Sequence, residues 1–252
     1  MNRCVEKWRY GSALALGSLL VGLSVPAAAQ LAPLTAEEQI CGPLRRPDRV
    51  PPMDYRNDRK LLTTVEWGHF RPQVENLIKP MFDAFGSDLD YTLHAYPNHP
   101  RALMTMMRLG ERDKTEQPKG LTYTIECFFR RAITFRSDDL LVRMIYAQYL
   151  NNKGRTPDAM AQLDYVVASA NDNAFTHYNA GLIYFDINAF DKALAQAHRA
   201  AEMGFGRPEL KEKLVKAGKW REPTPTPTPS AEAAAPAAAA SATPPTAAAS
   251  AP

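Results

Sequence analysis

Two histidines, two cysteines and a few carboxylates are the residues of this chain best placed to do chemistry. His94 and His99 flank Pro97 and Asn98. A zinc site needs three or four ligands in a defined geometry, and no further ligand gathers around this pair, so both read as solvated or helix-capping residues. Asp88-Leu89-Asp90 beside Gly86 is too short for a calcium loop and reads as a helix N-cap. Asp54-Tyr55-Arg56 reads as a local ion pair. The chain has no glycine loop to cradle phosphate, no nucleophile elbow and no metallopeptidase helix. No catalytic residue, metal site or cofactor is therefore expected. The aromatic group Tyr123, Phe128, Phe129 and Phe135 reads as packing rather than as a ligand box.

The cysteines depend on where the chain ends up. Residues 1–9 carry Arg3, Lys7 and Arg9, residues 10–25 are apolar, and Pro26-Ala27-Ala28-Ala29 precedes Gln30. A charged start, a short apolar run and a small-residue cleavage site make a secretory signal. The apolar run is shorter than the ~20 residues a spanning helix requires. The expectation is export to the periplasm, cleavage near Ala29 and no integral membrane segment in the mature chain. Only Cys41 and Cys127 then remain. An even pair in an oxidising compartment is most simply a disulfide; two unpaired thiols are the alternative.

Composition narrows the classes further. Hydrophobic residues make up 45% and charged residues 23% of 252, as in ordinary globular proteins. The net charge of +3 falls to about +1 once the signal is removed, which leaves no bulk attraction for nucleic acid. From Pro223 onward the chain is Pro, Thr, Ala and Ser with one charge, Glu232. Such a stretch has nothing to bury, so 221–252 is expected to be a disordered tail, extended where prolines alternate.

Between these ends lies a repeat. The segments beginning at Leu140 and Ala174 align at a spacing of 34 residues, each with apolar residues at helical spacing on both sides of a turn. Small residues recur at matching places: Ala147 with Gly181, and Ala159 with Ala193. There two helices can approach closely, while Tyr146, Leu150, Leu163 and Tyr184 fill the gaps between units. An earlier, stretched unit reads as helices over 100–112 and 121–136, with an insertion over 112–120. The segment 88–96 looks like the last helix of a partial unit. The segment 207–217, stopped by Gly218, suits a capping helix.

In these residues the chain resembles the tetratricopeptide repeat family. Gly181, Tyr184, Ala193 and Ala200 stand at that family's small, aromatic, Ala and Ala positions, and Ala147, Leu150, Ala159 and Val166 match them less closely. The resemblance implies an all-α solenoid of helix-turn-helix units over 88–220, behind an irregular arm at 30–87 with a short helix over 72–79. Cys41-Gly42-Pro43-Leu44 and Glu126-Cys127-Phe128-Phe129 also resemble a group of exported bacterial tetratricopeptide proteins of unassigned role. The family lines its concave groove with fixed positions of each first helix. Carried over, these give Arg101, Met104 and Arg108; Met144, Gln148 and Asn151; and Phe175, Tyr178, Asn179 and Leu182. The implied function is a scaffold or adaptor binding a peptide or protein of the envelope machinery. An enzyme or assembly factor with its site in the arm is the alternative, and the oligomeric state stays open.

The helix over 121–136 also makes a geometric prediction. With Ile125, Phe129 and Ala132 facing inward, Cys127 is turned about 200° from Ile125 and faces outward. The arm is then expected to cross the outer side and be pinned there through Cys41.

Overall fold

The computed structural model describes residues 35–223; the expected signal over 1–29 and nearly all of the expected tail over 221–252 lie outside the described residues. The described chain is all-α, with no strand. Three short helices come first: α1 (Ala36–Cys41), α2 (Leu62–His69) and α3 (Pro72–Glu75). Then follow α4 (Phe85–Ala95), α5 (Pro100–Asp113), α6 (Ile125–Phe135), α7 (Leu140–Asn152) and α8 (Thr156–Ser169). The chain closes with α9 (Ala174–Asp186), α10 (Phe190–Glu202) and α11 (Glu209–Lys216). Among the described residues no helix is long and apolar enough to cross a membrane.

Local chemistry sets the boundaries of the repeated helices. Asp139 and Asn173, 34 residues apart, each cap a first helix through the side chain, accepting from Val142 N–H at 3.2 Å and Thr176 N–H at 3.0 Å. His99 does the same for α5, accepting from Ala102 N–H at 3.2 Å. Fifteen residues into each unit the backbone turns left-handed: Lys114 at φ 53°, Gly154 at φ 71° and Asn188 at φ 63°. Glycine and asparagine suit that conformation. The shared turn makes α7 with α8, and α9 with α10, close hairpins.

The hairpins lie side by side. α5 packs on α7, α7 on α9, and α8 on α9, with α11 against both α9 and α10. The close approach expected of the small residues is present: Ala147, Ala159 and Ala193 have no exposed surface. A Cβ on Gly181 would come within 2.5 Å of Leu210 Cδ2, so this glycine lets the final helix close on α9. Tyrosines also tie successive units together. Tyr184 on α9 donates to Asp164 on α8 at 2.6 Å, and Lys192 pairs with the same carboxylate. Tyr146 on α7 donates to Glu126 on α6 at 2.9 Å, and Arg155 joins it at 2.7 Å. Burial and the accepting carboxylate push both phenols above the usual tyrosine range.

The segment before residue 88 is more ordered than its composition suggests. The expected short helix over 72–79 stops at Glu75, because Leu77 turns left-handed at φ 53°. α2 was not anticipated at all. Leu62 and Val65 hold it against Ala95 and Tyr96, while Phe70 and Val74 enter the main core. Helix α6 begins at Ile125, four residues later than read, because Thr124 caps it through Cys127 N–H.

Cys41 and Cys127 form a disulfide, with Cα atoms 5.1 Å apart. It lays α1 on α6, as the helical phase of Cys127 predicts. One turn further on, Arg131 donates to the carbonyls of Cys41, Gly42 and Pro43 at 2.9, 2.8 and 3.0 Å. A cation on the last carbonyls of a helix satisfies acceptors that have no partner within it. Gly42 (φ 69°) lies so close to Tyr123 that a Cβ there would overlap the phenol oxygen. Arg130 pairs with Glu37 on the same arm.

Candidate functional site

The first helices α5, α7 and α9 present one face each to a shared groove. At one end a hollow of about 400 Å³ is bounded by Glu75, Arg101, Met104, Met107 and Arg108. Toward the other end a second, of about 280 Å³, is bounded by Leu141, Met144, Phe175, Asn179 and Leu182, with Glu209 and Lys213 of α11 closing it. Gln148 lines both, so the two adjoin there. The spacings 101, 104, 108, then 141, 144, 148, then 175, 179, 182 are the three- and four-residue steps of a helix face.

Three apolar side chains in this groove stand in solvent: Met104 at 37%, Leu141 at 43% and Phe175 at 54% of full exposure, one on each helix. Exposed apolar groups set in a row are a signature of binding surfaces rather than of folding. Polar groups lie between them. Asn179 Nδ2 donates to its own helix at Phe175 O, 2.7 Å away, leaving its oxygen open. Among the described residues, the exposed Gln148 amide makes no hydrogen bond.

Both ends of the groove carry ion pairs. Arg101 donates to Glu75 through Nε at 2.7 Å and through a second, shorter bond, and Glu66 lies 3.6 Å away. The guanidinium holds the Glu75 carboxyl below the usual range. Arg108 donates to Glu75 O at 2.7 Å and to Thr105 Oγ1 at 3.0 Å. At the other end Lys213 pairs with Asp186 at 3.0 Å. The centre is left apolar and amide-lined, and the charges at its ends are largely compensated. Such a surface can hold an extended, uncharged stretch of peptide through apolar anchors and backbone hydrogen bonds.

Eight of the ten residues carried over from the family pattern line this groove. Tyr178 lies elsewhere: it is 3% exposed, and its ring is 4.9 Å from that of Phe205. It occupies the place that Met104 and Met144 hold on their helices. In the last unit, however, the chain after α10 folds over that position. Asn151 also lines neither hollow; its side chain accepts from Thr156 Oγ1 at 3.2 Å across the turn to α8. Leu141, which the family pattern also assigns to the groove, lines it, and so does Ile183, which the pattern does not give.

The histidines and acids that precede α5 serve the fold. His94 and His99 are 3% and 0% exposed, so neither is solvated. His99 accepts from Ala102 on one ring nitrogen, which places its proton on the other, 3.1 Å from Glu66. His94 Nδ1 lies 2.8 Å from Asp90 O. Asp88 is not an N-cap but sits inside α4, fully buried. It accepts from Met81 N–H at 2.7 Å and faces His69 at 3.3 Å. Asp54 pairs with Arg56 at 2.9 Å and accepts from Asn98 at 2.7 Å. The Arg56 bonds hold its carboxyl far below the usual range. Among the described residues, no three His, Cys, Asp or Glu side chains form a metal-ligand set.

Comparison of the chain with protein-family models, curated proteins and solved structures finds no match.

Proposed function

We propose that this chain is an exported tetratricopeptide-type scaffold that holds an extended segment of a protein partner in the cell envelope. The observation that carries this reading is the row of solvent-exposed Met104, Leu141 and Phe175 on α5, α7 and α9, with the open Gln148 amide among them. Three observations support the repeat reading: the 34-residue spacing, the recurring caps and turns, and the helix that closes the last unit. The apolar N-terminal run and the Cys41–Cys127 disulfide agree with export to the periplasm.

The test is selection from a random linear peptide library on the chain 30–252. Selected peptides should carry two or more apolar anchors, and Phe175→Ala should weaken them by about 30-fold, the effect of removing a ~2 kcal/mol hot spot. Tyr165→Ala, on α8 and outside the groove, should leave binding unchanged. Peptides indifferent to Phe175→Ala would count against the reading.

A further inference from the structure

The apolar side chains that stand furthest into solvent are not in the groove. Among the described residues, Ile78, Trp67 and Phe82 are three of the four most exposed large apolar side chains, at 75%, 69% and 61%. All three lie between residues 67 and 82, on either side of α3. Contacts within this stretch gather them. The Arg71 guanidinium lies 4.2 Å from the centre of the Trp67 indole and donates to Trp67 O at 2.7 Å. Beyond α3, Leu77 turns left-handed, and the N–H groups of Ile78 and Lys79 both donate to Gln73 O, at 2.8 and 3.2 Å. The Gln73 amide reaches Met81 Sδ at 3.1 Å. Phe82 stacks on His69 with ring centres 4.9 Å apart, and His69 faces the buried Asp88 at 3.3 Å. The loop after α3 is thus folded back on the start of that helix and on the end of α2. Its exposed side chains project from a fixed base.

The charges around them have one sign left over. Among the described residues, neither Arg71 nor the exposed Lys79 is paired with a carboxylate. The neighbouring acids are engaged: Glu75 with Arg101, Asp83 with Lys119, and Asp88 within the fold. Two cations therefore accompany the apolar tips, and they complement a negatively charged surface. The boundary between headgroups and acyl chains of a bilayer takes this combination: Trp is favoured there, aliphatic tips reach the acyl region, and Lys and Arg meet lipid phosphate. The cores of protein–protein interfaces are depleted in Lys, whereas Lys79 directly follows Ile78, the most exposed apolar residue. A bilayer also asks for no matching shape, which suits side chains that project instead of lining a recess.

We infer that the face of Trp67, Ile78 and Phe82 is a peripheral docking site for an anionic lipid surface. Asn76, two residues before Ile78, bounds one end of the groove, so docking brings that end beside the lipid. Cosedimentation of the chain 30–252 with vesicles tests this. Vesicles of equal parts phosphatidylglycerol and phosphatidylcholine should carry the chain down, and phosphatidylcholine alone should bind it at least about tenfold more weakly. Ile78→Ser should weaken binding about tenfold and Lys79→Gln about fivefold. In a W220F background Trp67 is the one indole of this chain, and its emission should move to the blue on the vesicles. In a W67F background the emission of Trp220 should not move. Phe175→Ala, in the groove, should leave vesicle binding unchanged, so failure of the groove and failure of this face are read separately. Absence of binding to the anionic vesicles, or binding indifferent to Ile78→Ser, would overturn the inference. So would a Trp67 shift that appears without lipid, grows with protein concentration and is lost with Ile78→Ser, because a second copy would then cover the face.

Discussion

Replacing Cys41 and Cys127 together with Ser should lower the unfolding free energy of the chain 30–252 by about 4.6 kcal/mol, the loop-closure value for 86 residues. The disulfide closes a loop that contains the arm after α1 together with α4 and α5, so its loss frees a large share of the unfolded ensemble. The arm should stay on α6 in the variant, because Arg131 still grips three consecutive carbonyls and Arg130 still meets Glu37. Denaturant unfolding with and without reductant measures the effect. A change below about 1 kcal/mol would mean that the polar grip alone holds the arm, against the loop-entropy account. Arg131→Met in the reduced chain should then release α1, read as protease cleavage near residue 42. Burial pulls the Arg131 guanidinium down, so its charge is tolerated only while those carbonyls face it.

Acid should destabilise the chain through His99. Burial, then the neighbouring Arg101, push its pKa from 6.5 down to about 3. The folded ring stays neutral while the unfolded ring takes up a proton, so its contribution is complete above pH 6.5 and is lost as pH falls toward 3. Between pH 6.5 and pH 4 the loss comes to about 3 kcal/mol. Asn can replace His99 as a helix cap without titrating. His99→Asn should therefore flatten the stability profile over that range, and matching slopes in the two proteins would contradict the assignment. Asp54 acts at lower pH. Its depressed pKa gives stability that is present above about pH 4 and lost as pH falls.

The repeated part of the molecule was legible because its signals are local and recur. Gly154 and Asn188 announce turns, and the small residues on either side announce close packing. The outward phase of Cys127 followed from helical geometry alone. What escaped depends on contacts between distant residues. Nothing in Leu62–His69 marks a helix strongly: it has no side-chain cap, it includes two threonines and a glycine, and its apolar face is narrow. It is a helix because Ala95 and Tyr96 lie beneath it. The burial of His99 depends on Glu66 and Tyr55, more than thirty residues away. Tyr178 left the groove because Phe205 and α11 cover the end of the row, a boundary effect that a repeat pattern does not contain.

A photo-crosslinking amino acid at Gln148, the residue shared by both halves of the groove, tests the binding surface most directly. In the living cell it should capture one partner at high yield, Leu141→Asp should abolish that adduct, and the same probe at Tyr165 should yield none. Equal labelling at both positions, or capture at Gln148 that persists with Leu141→Asp, would contradict a groove built to receive another protein's chain.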